Sequence, residues 1–302
     1  MPLPTDDSIL KTANGLVDQL QAIFGKHSGY RPAHARGTLL TGAFTPTPTA
    51  AQLSSAPHFK NASTPITARF SSSTGLPLIP DTDPSANPRG LAIRFHLGDR
   101  VHTDVIAHST PYFPTRTGEG FLQMLQAIAA SSTAAVQGVS PSPIEKFLSE
   151  TPSAKAFVEA PKPSPESFAT EQYFGVTALK FVSAEGKGTY FRYRIAPEAG
   201  LSTLSDTELS SKPDNYLFDE LPARLKSGPV TFKLLAQIAE EGDVVGDSTT
   251  HWPEERTLAE LGTVELEKLV EEEESKKEQK YVIFDPIPRV GGSSRVKIHC
   301  WK

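Results

Sequence analysis

The sequence predicts an α+β fold: an eight-stranded, mostly antiparallel β-barrel with flanking and inserted helices. Three observations predict it. Segments with a two-residue apolar alternation recur along the chain. Segments of helical period open the chain and interrupt the strands. The 26 prolines imply fixed loops between short elements, in a pattern that fits neither collagen nor a disordered tail.

Residues 7 to 24 form the first helix. Asp6 or Asp7 can cap it, and Ile9, Leu10, Ala13, Leu16, Val17, Leu20, Ile23 and Phe24 fall near a 3.6-residue period. A loop from Gly29 to Gly37 follows, and then a short segment ending at Phe44. Strands are expected at Pro65–Ser72 (Ile66, Ala68 and Phe70 in alternation), Leu91–Leu97 (Leu91, Ile93 and Phe95 on one face) and His102–Ala107. A helix over about Gly118–Ala130, a connection over 131–143 and a helix over Pro143–Glu150 come next. Further strands are expected at Phe174–Val182, Gly188–Ile195, Val230–Ile238, Gly262–Leu269 and Tyr281–Phe284. The run EEEESKKEQK between the last two reads as a solvated turn. Eight strands with inserted helices suit a closed barrel.

Length allows two domains, but barrels of 302 residues occur as one unit, and a single domain over 1–302 is expected. Residues 1–27 form its N-terminal helical part and 287–302 a tail of different character. The net charge of −5, with no basic stripe, argues against a nucleic-acid partner. The single cysteine, Cys300, excludes an intrachain disulfide. The opening MPLPTDDSIL lacks a basic and an apolar signal region, no apolar run approaches a bilayer span, and Cys300-Trp301-Lys302 is no peroxisomal address. A cytoplasmic protein without a membrane partner is expected.

Four segments carry chemistry. Arg31-Pro32-Ala33-His34-Ala35-Arg36-Gly37 sets an imidazole three residues after a guanidinium in a loop. In Thr67-Ala68-Arg69-Phe70-Ser71 the alternation sends Thr67, Arg69 and Ser71 to one face; if that face is buried, Arg69 needs an anionic partner. Asn87-Pro88-Arg89-Gly90 feeds the strand that continues to Arg94-Phe95. Asp104 to Phe113 places His108, Ser109 and Thr110 just after a strand end, with Phe121 beyond.

In this order and at these spacings the segments resemble the haem catalases, and more closely the short catalase-related peroxidases. The resemblance continues through Tyr173-Phe174-Gly175, Phe191-Arg192-Tyr193-Arg194 and Asn215-Tyr216-Leu217-Phe218-Asp219, covering about residues 28 to 286. It implies a catalase-like core that binds haem b and iron. His34 then matches the distal histidine, Ser71 the hydroxyl that orients it, Arg31 and Arg69 the arginines that pair with propionates, and Phe121 an aromatic ring stacked on the distal side. Ser73 falls where catalases usually carry Val. The chemistry has a physical reason: a neutral imidazole can take a proton from one peroxide oxygen and return it to the other, so that water leaves.

The chain departs from the family pattern twice. His108 stands where catalases usually carry Asn, which adds a group able to titrate near neutrality. The proximal Tyr of the family's Arg-x-x-x-Tyr motif has no match, because IPRVGGSSRVKIHCWK contains no Tyr. His299 and Cys300, following Arg295, are the tail's two iron-donor candidates. The expected function is a haem-dependent peroxidase or catalase acting on hydrogen peroxide, with small organic donors and a homo-oligomer left open. A haem-poor binding or structural protein of this fold, or a haem enzyme converting an organic hydroperoxide or biosynthetic intermediate, remain alternatives.

Overall fold

The computed structural model describes residues 5–295. Its elements, in chain order, are α1 (Asp7–Phe24), β1 (Gly37–Pro46), α2 (Pro48–Leu53), β2 (Thr64–Ser71), β3 (Gly90–Gly98), β4 (Val101–His108), α3 (Gly118–Val136), α4 (Pro143–Glu150) and α5 (Pro152–Glu159). They continue with β5 (Tyr173–Phe174), β6 (Leu179–Val182), β7 (Gly188–Pro197), α6 (Asp206–Ser210), α7 (Tyr216–Ser227), β8 (Val230–Ile238), β9 (Leu258–Leu269), α8 (Glu272–Gln279) and β10 (Ser293–Arg295).

Eight strands close a ring in the order β1-β2-β3-β4-β5-β7-β8-β9 and back to β1, every pair antiparallel. β6 and β10 extend the sheet outside the ring, from β7 through β6 to β10. Closure removes the unpaired edges that an open sheet would expose. The expected α+β barrel is therefore the observed fold.

Side-chain alternation sorts each wall into an inner and an outer face. On β3, Leu91, Ile93 and Phe95 are buried inward, whereas Ala92, Arg94 and His96 face outward. The interior is dominated by aromatic rings: Phe44, Phe59, Phe70, Phe95, Phe181, Phe191 and Phe232 are all fully buried. Phe44 meets Phe95 edge-on at 5.1 Å, and Phe181 stacks on Phe191 at 3.5 Å. Aromatic pairs of this kind add to the stabilisation from area burial.

Helix α1 spans the expected residues, with Asp6 as its N-cap accepting from the Ser8 N–H. It packs against α3. Helix α4 also matches, closed by a full capping box between Ser142 and Glu145. Helix α3 runs on to Val136, so the connection to α4 is shorter than expected. Among the described residues, no helix is long and apolar enough to cross a membrane.

Four expectations need correction. Tyr281–Phe284 is not a strand. Its Val282 and Ile283 carbonyls accept from the Arg31 and Arg94 guanidinium groups, and the Val282 N–H donates back to Glu278 at the end of α8. The vacant place in the ring belongs to β1, whose register with β9 shifts between Thr41 and Gly42 because Glu267 of β9 is an extra, bulged residue. Gly42 is required there: a Cβ would lie 1.9 Å from the Glu265 carbonyl oxygen. The run EEEESKKEQK is solvated, but it forms α8 rather than a turn, with Glu272 and Lys276 paired one turn apart at 2.7 Å. Phe174–Val182 is two strands: β5 pairs with Arg194–Ile195 of β7 and β6 with Gly188–Phe191, and residues 175–178 between them belong to neither. Helices α5 and α7 were not anticipated.

Phe95→Ala is expected to destabilise the fold by about 3–5 kcal/mol, the usual cost of a large core cavity. Urea unfolding measures it, and a loss under about 1 kcal/mol would remove Phe95 from the core.

Candidate active site

The candidate site residues lie on the outer wall of the barrel, at the end of β2, β3 and β4 nearest the loop 31–36. The register places Gly37 opposite Ser71, Ser71 opposite Gly90, and Gly90 opposite His108. One row across four strands is thus glycine, serine, glycine, histidine. The two glycines make a hollow. A Cβ on Gly37 would lie 2.4 Å from the Arg69 guanidinium carbon, and one on Gly90 would lie 2.5 Å from Ser71 Oγ and 3.0 Å from His34 Nδ1.

His34 settles into that hollow. Its Nδ1 lies 3.1 Å from Ser71 Oγ. The residue adopts φ = 52°, in the left-handed region that few side chains visit. Such strain costs on the order of 1–3 kcal/mol and persists only where the surroundings enforce it. The enforcing contacts are visible. Ala35 donates its N–H to Thr74, Ser72 donates to the Arg36 carbonyl, and Arg69 holds the His34 and Ala35 carbonyls at 2.9 and 3.2 Å.

Burial is the largest cause lowering the His34 pKa, to about 4; Arg69, His108 and Arg31 lower it further. His108 is likewise pushed down by burial to about 4, opposed by backbone hydrogen bonds. Both imidazoles are therefore neutral at pH 7. His108 Nε2 lies 3.2 Å from the Tyr112 carbonyl, and its ring is parallel to Phe113 at 6.2 Å. Phe113 in turn lies 6.3 Å from Phe121 in the first turn of α3. Ser73 is half-buried beside the loop, its N–H donating to the Ala86 carbonyl at 2.8 Å.

The electrostatics at Arg31 and Arg69 are unusual. Arg69 is 4% exposed and donates only to neutral partners: two carbonyls and Gln279 Oε1 at 2.8 Å. Arg31 donates to the Val282 carbonyl. Among the described residues, neither has a carboxylate within ion-pair distance. Burial and then the charge of Arg31 lower the Arg69 pKa, which marks an uncompensated pair of like charges. The neighbouring guanidinium groups differ: Arg94 pairs with Asp104 at 2.7 Å, and Arg36 and Arg89 share Asp81. Arg31 also lines a cavity of about 840 Å³ with Ala35, Gly37 and Gln279, but His34, Arg69 and His108 do not line it.

The sequence reading thus named the residues that meet here, His34, Ser71, His108, Arg69 and Arg31. It missed Gly37 and Gly90 as space-makers, and Gln279, which bridges Arg69 to the Gly37 carbonyl. The glycines could have been found as strand-end glycines following Arg36 and Arg89; nothing local marks Gln279. His299 and Cys300 lie outside the described residues.

A buried and a half-buried cation without an anion, Arg69 and Arg31, fit a group bearing two carboxylates, and a neutral imidazole with its hydroxyl partner fits a peroxide site beside it. Among the described residues no group of three or more His, Cys, Asp or Glu is placed to hold a metal, and no tyrosine follows Tyr281 in the sequence.

Barrel and site together define a class, that of closed antiparallel β-barrels with a neutral imidazole and two guanidinium groups lacking an anion on the outer wall. A sequence profile of the catalase family matches residues 8–295. The catalase-related peroxidase of Mycolicibacterium paratuberculosis is 33% identical over 279 residues, covering 91% of this chain and 86% of that protein. The catalase-related peroxidase of Synechococcus elongatus is 31% identical over 258 residues, covering 84% and 75%. The chain belongs to the catalase family. Its fold is similar to that of a fungal catalase (TM-score 0.76, 20% identity) and of catalase A from Saccharomyces cerevisiae (TM-score 0.75, 19% identity). It covers 60% and 62% of those chains.

Gly90→Ala is expected to cost about 1–3 kcal/mol in thermal unfolding, as overpacking does. The cost should be smaller in a Ser71→Ala background, where the obstructing hydroxyl is gone, since contacting residues do not act additively. An equal cost in both backgrounds would show that the hydroxyl is not the obstacle.

Proposed function

We propose that the protein is a haem-dependent oxidoreductase that decomposes or uses hydrogen peroxide, with His34 as the base. The observation that carries this reading is the neutral His34, bonded to Ser71 at 3.1 Å, beside two guanidinium groups that lack an anion. Family membership supports it.

In this reading Arg31 and Arg69 hold the propionates of haem b, and the haem supplies the electrons that reduce peroxide. Nδ1–H of His34 donates to Ser71 Oγ, which leaves Nε2 as the basic nitrogen. That nitrogen accepts a proton from one peroxide oxygen and delivers it to the other, which departs as water. His108 presents a second neutral imidazole to the peroxide. Phe121 would stack on the haem from the distal side, and Ser73 lines the access, its hydroxyl admitting a polar substrate. Small organic molecules serve as donors when a second peroxide does not. The chain works as a single catalase-like domain in the cytoplasm, without nucleic-acid or membrane partners and with room for a homo-oligomer. Residues 287–302 form its atypical tail, in which His299 and Cys300 are the two candidate donors to iron.

A second reading is a haem-poor binding protein of the same fold. The visible spectrum of the purified protein separates the two. A Soret band supports the enzyme, and its absence after haem is added supports the binding protein.

His34→Ala is expected to retain the Soret band while peroxide turnover falls by roughly two to four decades, the usual worth of a positioned acid–base group. Turnover within a few-fold of the parent would exclude His34 as the base.

The pH dependence has a defined sign. Because His34 and His108 have pKa values lowered from 6.5 to about 4, the unfolded chain binds protons in that window before the folded one does. Their contribution to stability is complete above pH 6.5 and declines as the pH falls toward 4. Turnover should be level above pH 6.5 and fall as the pH approaches 4, where His34 becomes protonated. A loss of turnover centred near pH 6.5 would contradict the burial of these rings.

A further inference from the structure

The outer wall carries a second pair of imidazoles at the far end of the same strands. His96 on β3 stands directly opposite His102 on β4, as Gly90 stands opposite His108 at the near end. Six residues of extended chain separate Gly90 from His96, about 20 Å. This pair is therefore remote from His34.

Directly opposed residues in an antiparallel pair have their Cβ atoms about 4.5–5.5 Å apart, a span that one ion bonded to both imidazoles can bridge. His96 is exposed and His102 half-exposed, so both are open to solvent ions. Burial first, then Arg94 and His102, lower the His96 pKa, while Asp104 opposes them. Arg94 and Asp104 are paired with each other at 2.7 Å, so their charges on the site largely cancel. The lowering favours the neutral ring of His96, whose unprotonated nitrogen can bind an ion. Its present partner is Thr67 on β2, whose hydroxyl oxygen lies 2.9 Å from Nε2. A hydroxyl donating to that nitrogen uses the same lone pair that a metal ion would.

We propose that His96 and His102 form a two-imidazole site for a divalent first-row transition ion, with Cu²⁺ the best fit. Imidazole nitrogen suits Cu, Ni and Zn, and Cu²⁺ stands at the top of the affinity order. Among the described residues no third protein donor joins the pair, so water completes the coordination and the ion exchanges with solvent. Binding turns His96 away from Thr67 toward β4. The Thr67 hydroxyl is a competitor of the ion and not a ligand.

The test uses the full chain as purified, titrated with CuCl₂ and followed by calorimetry and by electron paramagnetic resonance near g = 2. One equivalent of Cu²⁺ with hyperfine coupling to two imidazole nitrogens is expected. His96→Gln and His102→Gln, both outside the peroxide site, should each weaken binding at least about tenfold, since even the loss of an outer-shell partner does so. Thr67→Val should leave the affinity equal or tighten it by up to about fivefold, the worth of one hydrogen bond. A spectrum with a single nitrogen, affinity that survives His102→Gln, or weaker binding in Thr67→Val would overturn the proposal.

Discussion

The buried guanidinium of Arg69, held by the carbonyls of His34 and Ala35, is the constraint around which the site is arranged. A charge removed from water is costly unless its hydrogen bonds are made, and these carbonyls make them. In doing so they hold the loop 31–36 against the barrel wall and impose the positive φ of His34. The same contact brings the imidazole within reach of Ser71, two residues along the strand from Arg69. The loop conformation, the strain and the position of the base thus share one cause. What this contact does not provide is a counter-charge, and that deficit is what a dicarboxylate such as haem can meet.

Register converts this contact into a site. Neighbouring strands place Gly37, Ser71, Gly90 and His108 in one row, so space and function alternate across the wall. A shift by one residue would turn the row inward and set Phe70, Leu91 and Ala107 outside. The aromatic interior resists such a shift, because those residues are buried among Phe168, Phe232 and their neighbours. Core packing therefore fixes the catalytic geometry through the ladder, without touching His34 itself.

The segment from Gln279 to Asp285 ties the wall to the end of the described chain. Gln279 reaches Arg69, the Val282 carbonyl reaches Arg31, and the Asp285 N–H donates to Asp104 at 2.7 Å. Phe284 lies against the Arg94 guanidinium. This segment follows β9 and lies over the cations without joining the sheet. Its conformation is set by side-chain donors on the wall.

Much of the fold was legible because it rests on periodicity and local signals. The alternation of Ile66, Ala68 and Phe70 marks β2, that of Leu91, Ile93 and Phe95 marks β3, and Ser142 with Glu145 marks the start of α4. The ordered segments around His34, Arg69, Arg89 and His108 also sufficed to suggest the family. Other features depended on contacts between residues distant in sequence. β1 was not legible as a strand because the close approach that requires Gly42 is to the Glu265 carbonyl, more than two hundred residues away. Tyr281–Phe284 had the composition of a strand, yet its carbonyls were claimed by Arg31 and Arg94. The spacing of His34 and Ser71 in sequence said nothing of their 3.1 Å approach, which requires the absence of a side chain at Gly90. Sequence by itself determined which residue types line each face, since alternation is a local property of an extended chain. Only the tertiary structure decided which of those faces meet, because strand register and the burial of a lone cation are properties of the closed barrel.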